Sequence, residues 1–99
     1  MFSYNIFEHD SEVMLAICDD DILGKTFGDE VQITVSEFYT GKKCDDKKAV
    51  KLAKGATIIN VVGNKITKLL IEKNIVESSS VMKIDGVMHA QVVSMRRLS

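Results

Sequence analysis

A chain of 99 residues, 45% apolar and 27% charged, has the length and composition of one folded domain, and a single domain over 1–99 is expected. Its net charge of −1 excludes a global field drawing in nucleic acid or an anionic membrane, so a polyanion must meet a local patch. The apolar runs fall far short of the ~20 residues of a membrane span, Asp10, Glu12 and Asp19 bracket the first of them against a signal peptide, and two cysteines build no disulfide framework; the expectation is a cytoplasmic protein with free thiols and no membrane contact.

Phe2, Tyr4 and Ile6 alternate with Ser3 and Asn5, the period of a strand. After the polar break His9-Asp10-Ser11-Glu12, the run Val13–Cys18 predicts a second, more buried strand antiparallel to the first. Asp19 to Glu30 reads as a connector. Val31, Ile33 and Val35 alternate with Gln32 and Thr34 as a third strand, and Ser36 to Lys43 as a loop holding Phe38, Tyr39 and Gly41.

A helix is predicted from about Asp45, capped by Asp45 or Asp46 because a carboxylate meets the free amides of a first turn. Gly55 suits a left-handed position just past its end. Ala49, Val50, Leu52 and Ala53 share one face of it, and Lys47, Lys51 and Lys54 the other. Thr57 is expected to cap a second helix running to about Asn74, with Ile58, Ile59, Val62, Ile66, Leu69 and Leu70 as its apolar stripe. On that reading Gly63 lies inside the helix, and Asn60, Asn64 and Thr67 align opposite the stripe. Asp85-Gly86 between β-prone runs predicts a type I′ hairpin pairing Ile84 with Val87 and Met82 with His89. The resulting order, β-β-β-α-α-β-β, describes a two-layer α+β fold: a mainly antiparallel sheet with two helices on one face.

Four ordered segments resemble a known family: Leu23-Gly24-Lys25-Thr26-Phe27; Phe38-Tyr39 with Gly41; Ala56 with Asn60, Val62 and Gly63; and Gly86-Val87-Met88-His89-Ala90-Gln91. The family is that of small archaeal proteins known as domain of unknown function 424, and the resemblance covers nearly the whole chain. Met88 departs from it, standing where the family usually carries Pro. The resemblance implies an archaeal cytosolic protein with a compact α+β fold. It brings no activity, cofactor or partner, so residue roles must come from chemistry.

Gly24-Lys25-Thr26 copies the tail of a phosphate-binding loop, but Asp19 stands where that motif needs its first glycine, and two further carboxylates follow. A turn is the simpler reading. The same Asp19-Asp20-Asp21 run lacks the ligand spacing of a calcium loop, and a solvated connector is preferred. His9, Cys18, Cys44 and His89 lack the short spacings of a zinc site, so no metal and no cofactor is expected. His89 and Gln91 share one strand face. They are either hydrogen-bonded core groups or the recognition groups of a groove, while Asn60, on the second helix with Asn64 and Thr67, either packs closely or reads a partner. Lys42, Lys43, Lys47, Lys48, Lys51 and Lys54 form the strongest local charge. Three functions follow: a non-enzymatic binding module for RNA or an RNA–protein assembly; a small enzyme or enzyme subunit with a pocket at His89, Gln91 and Asn60; or a protein–protein adaptor or homodimer. The candidate binding residues are His89, Gln91, Asn60, Gly63, Gly24, Lys25, Thr26 and Tyr39, with Lys47, Lys51 and Lys54 as a basic patch; none is assigned a catalytic role.

Overall fold

The first alternation forms a hairpin as expected. In the computed structural model β1 (Phe2–His9) pairs antiparallel with β2 (Glu12–Asp19) across a two-residue turn in which Asp10 takes φ +53°. The structure describes residues 1–28, 33–34 and 41–93. Two short strands, β3 (Thr26–Phe27) and β4 (Ile33–Thr34), pair with each other. Next come β5 (Lys42–Cys44), α1 (Asp46–Gly55), β6 (Ile58–Val62), α2 (Asn64–Glu72), β7 (Met82–Ile84) and β8 (Val87–Val93). Six strands make one sheet in the order β5-β1-β2-β6-β8-β7, antiparallel at every neighbour except the parallel pair β2–β6.

Side-chain alternation then divides the sheet into two unlike faces. Phe2, Tyr4, Leu15, Ile17, Ile59, Val61 and Ala90 point to one face, where Ala49 and Ala53 of α1 and Ile66 and Leu70 of α2 complete a single core. Alanines at the α1 contact let that helix lie close to the strands. The opposite face carries Ser3, Asn5, Ala16, Cys18, Asn60, Val62, His89 and Gln91. Its centre, Ala16, Cys18 and Val62, is sealed by Ile22, Leu23 and Val87 in a second small cluster. The chain is therefore an α+β fold with a mostly antiparallel sheet and both helices on one face.

The expected helix from Thr57 to Asn74 is two elements. Ile58–Val62 is the strand β6, sandwiched between β2 and β8, and only Asn64–Glu72 is helical. A short run of apolar residues satisfies both periods, and helical spacing alone does not decide between them. β-branched Ile58, Ile59, Val61 and Val62 favour the strand, and Gly63 at φ +125° ends it. Thr57 caps no helix: its hydroxyl accepts the Val13 amide at 2.8 Å and donates to Glu12 Oε1 at 2.8 Å, fastening β6 to β2. Asn60 accordingly lies on a strand, and Thr67 is buried rather than aligned with it on an outer face. Gly55 is the last helical residue and lacks the positive φ expected of it. Of the strand expected over residues 31–35, Ile33–Thr34 form β4, while the remainder, with Phe38 and Tyr39, lies outside the described residues. The start of α1 and the last hairpin match expectation: the Asp45 carboxylate accepts the Lys48 amide at 2.9 Å, and Asp85 and Gly86 take φ +52° and +77° with Ile84 opposite Val87.

Among the described residues, one buried side-chain polar group is unsatisfied. The Thr67 hydroxyl, fully buried on α2, has no hydrogen-bond partner. Thr67→Val keeps the shape and removes the stranded hydroxyl, so it is expected to raise stability by about 1 kcal/mol, read as a higher urea midpoint at unchanged slope.

Candidate functional site

α1 covers the Phe2–Tyr4 end of the first hairpin and leaves its far end uncovered. Between them runs an open groove of about 960 Å³. Its floor is apolar: Ile6 and Val13 from the hairpin, Leu52 from α1 and Cys44 from β5. Its rim is cationic: Lys43, Lys47, Lys48 and Lys51. The rim follows from helix geometry, since residues 47, 48 and 51 share a surface one turn long. The floor follows from strand alternation, which places Ile6 on the face of Phe2 and Tyr4.

The rim charges are not equally committed. Lys43 Nζ sits 2.9 Å from Asp20 Oδ2. Lys48 Nζ stands over the ring of buried Tyr4, 5.8 Å from its centroid, a cation–π geometry. Lys47 and Lys51 are exposed and make no ion pair among the described residues. Among the described residues the one acidic group lining the groove, Asp45, turns its carboxylate to the Lys48 amide. Lys54 leaves this group, lining instead a smaller hollow of about 370 Å³ with Lys73 and Asn74.

On the helix-free face, Asn60 and Gln91 are direct cross-strand partners, and His89 lies opposite Val62. The sheet thus brings His89, Gln91 and Asn60 to one surface, on the side away from both helices. His89 Nδ1 lies 3.0 Å from the Val61 carbonyl, to which it donates a hydrogen bond that orients the ring. Gln91 is exposed, while Asn60 and His89 are half-buried. Cys18 shares the cross-strand row of His89, with Val62 between them, which separates the two by about 10 Å.

Asp20 and the cysteines show how local electrostatics distribute. A hydrogen bond from the Ser3 hydroxyl, reinforced by Lys43, holds the Asp20 carboxyl below its usual range. Burial pushes the Cys18 thiol up to about 12, with Asp19 and Asp20 adding repulsion, and burial raises the Cys44 thiol as well. A thiol that stays protonated is a poor nucleophile. Iodoacetamide is therefore expected to leave Cys18 unlabelled in the native protein below pH 9.0, its unperturbed value, and to label it after unfolding. Because the folded pKa is raised, this group's stabilisation is complete below 9.0 and is lost as pH climbs towards about 12. Native labelling at neutral pH would contradict the burial.

No group of three or more His, Cys, Asp or Glu side chains among the described residues converges in the manner of metal ligands. Cys18 and Cys44 lie on opposite faces of the sheet. No helix among the described residues is long and apolar enough to cross a membrane.

Comparison with known proteins locates the chain. A family model described as "Protein of unknown function (DUF424)" matches residues 7–95. The chain belongs to the DUF424 family. A crystal structure of an uncharacterized conserved protein from Methanopyrus kandleri is similar in fold, at TM-score 0.77 and 24% identity over 94% of this chain and 92% of that one. No curated protein matches.

The segments through which the chain resembles DUF424 proteins prove to be largely joints of the fold. Leu23-Gly24-Lys25-Thr26 holds a turn. The Lys25 amide donates to the Ile22 carbonyl at 3.1 Å around Leu23 at φ −61°, ψ 131° and Gly24 at φ +85°, a type II turn leading into β3. Gly63 joins β6 to α2, and its amide donates to the Met88 carbonyl at 2.8 Å. Asn64 completes the clasp, accepting the Met88 amide at 2.8 Å and donating to the Gly86 carbonyl at 3.0 Å. Asp85 accepts the Gly28 amide, tying the same hairpin turn to the end of β3. Tyr39 lies outside the described residues.

Sequence reasoning missed two parts of this arrangement. Asp19 is buried, not part of a solvated connector, and its two carboxylate oxygens accept the Lys65 and Ile66 amides, each at 2.9 Å. A cap supplied from 46 residues away in sequence leaves no local signature. The apolar floor was written in the alternation of Ile6 with Tyr4, but its place beside the lysines depends on how α1 docks.

Proposed function

We propose that this DUF424 protein is a non-enzymatic binding module that engages RNA, alone or in an RNA–protein assembly, through the lysine rim of the α1 groove. The observation that carries this reading is the pair Lys47 and Lys51, exposed and making no ion pair among the described residues, beside an apolar floor on a chain of near-zero net charge. Surface cations on a solvated helix commonly find carboxylates one turn away; these have none. Contacts from lysine to phosphate release condensed counterions and bind polyanions without needing a global positive field.

A catalytic reading finds less support. His89 is oriented by a backbone carbonyl rather than a carboxylate. The thiol in its row is beyond hydrogen-bond reach and held protonated.

The test is fluorescence anisotropy with labelled RNA across a salt series. With four rim or near-rim lysines meeting phosphates, the log–log slope of affinity against salt is expected near about −3. Lys47→Glu combined with Lys51→Glu is expected to weaken binding at least about tenfold and to roughly halve that slope. Both residues are exposed, so the melting temperature is expected to hold. An absence of binding at about 50 mM salt, or a slope the double variant does not change, would remove the proposal.

A further inference from the structure

Every polyanion satisfies a lysine rim, so the floor decides among them. Ile6 is 38% exposed at that floor, beside Val13 and Leu52. The groove's volume of about 960 Å³ is in the range that accommodates a small organic group. A double-stranded RNA has nothing to put there: its bases are stacked and paired, and it presents sugars and phosphates across a wide, shallow groove. A single strand exposes base faces, and removing them from water against aliphatic side chains is favourable in proportion to the area buried. The rim has matching geometry. Lys47 and Lys51 stand one helical turn, about 6 Å, apart along one wall, a step that successive phosphates of an extended strand can follow. Beside it the floor residues Ile6 and Val13 carry no charge.

We infer that the groove between α1 and the β1–β2 hairpin takes an unpaired nucleotide, seating its base on Ile6, Val13 and Leu52 while Lys47, Lys48 and Lys51 meet the flanking phosphates. This rests on the reading of the lysine rim as an RNA surface, and it adds a preference for single strands. An acidic peptide meets the same lysines but lacks a flat group for the floor, so it serves as a competitor in the test.

The experiment measures binding of the full chain to four ligands at one salt concentration: a single-stranded RNA of about 12 nucleotides, a duplex of the same length, an abasic strand of the same length and charge, and polyglutamate. The expected result is binding of the single strand about tenfold tighter than the other three. Ile6→Ser, at a position already partly exposed, is expected to remove that preference while leaving duplex affinity within about twofold. Leu52→Ser supplies a second lesion of the floor, with circular dichroism confirming that each variant is folded. Equal binding of single strand, duplex and abasic strand would overturn the nucleotide-seating inference but leave the RNA reading standing. Polyglutamate binding as tight as RNA would also overturn it, pointing to an acidic protein partner. No RNA binding at any salt would overturn both.

Discussion

Gly63→Ala is expected to be the most damaging single-methyl substitution in the described part of this protein, lowering stability by about 3–5 kcal/mol. Two independent effects add at this residue. Its backbone, at φ +125° and ψ 145°, occupies a region that residues with a β-carbon rarely enter, which costs of order 1–3 kcal/mol. A β-carbon there would also stand 2.5 Å from Asp19 Cγ, 2.6 Å from Oδ2 and 2.9 Å from Cβ. The carboxylate has no room to swing aside, because it is buried and both oxygens are engaged by α2 amides. A domain of this length is stable by roughly 5–15 kcal/mol, so one methyl group would consume a large share of the total. The comparison that isolates the mechanism is Gly24→Ala. Gly24 also has positive φ, but an added β-carbon there meets nothing within 4 Å. Its cost is expected to stop at about 1–2 kcal/mol of backbone strain. Thermal unfolding reads the difference, at about 4–8 °C per kcal/mol for a domain of this size. Equal melting temperatures for the two variants would refute the contact with Asp19 as the origin of the effect.

The same junction explains what could and could not be read from the sequence. The α+β class, the first hairpin, the α1 start at Asp45 and the Asp85-Gly86 turn were legible, because each rests on a local signal: alternation, a capping carboxylate, or a dipeptide that tolerates positive φ. The central strand was not. Ile58–Val62 fits a helical stripe as well as it fits alternation, and its strand identity is settled by partners distant in sequence, β2 on one side and β8 on the other. Gly63, read as a flaw inside a helix, is the hinge where strand becomes helix. The lysine run was visible as a run, but sequence did not separate Lys47 and Lys51, which line the groove, from Lys54, which lies further along the same helix face and lines a different hollow. The placing of His89 and Gln91 on one strand face was legible from alternation in the last strand, whereas Asn60 was read on a helix. Their common position on the helix-free face required the register of β6 against β8.

Asp19→Ala is expected to destabilise the protein by about 3 kcal/mol, and its coupling to Gly63 gives the sharper result. Removing the carboxylate strips two amides of the first turn of α2 of their acceptor, and the loss of a side-chain cap costs about 0.5–2 kcal/mol even at exposed helix ends. Burial raises that cost, since the Ile66 amide is shut away from water and has no substitute partner. Asp19→Asn keeps the shape and one carbonyl oxygen, so it is expected to lose about half as much. In the double variant Asp19→Ala with Gly63→Ala, the carboxyl atoms that an alanine at 63 would strike are gone, and only the β-carbon contact at 2.9 Å remains. The two losses are therefore expected to fall short of additive by about 1–2 kcal/mol, the part of the glycine penalty that is overlap rather than backbone strain. Urea unfolding of the four proteins in this cycle measures that difference directly. Strict additivity would mean that Asp19 and Gly63 act separately, and that the carboxylate holding the first turn of α2 does not itself enforce glycine at the strand-to-helix junction.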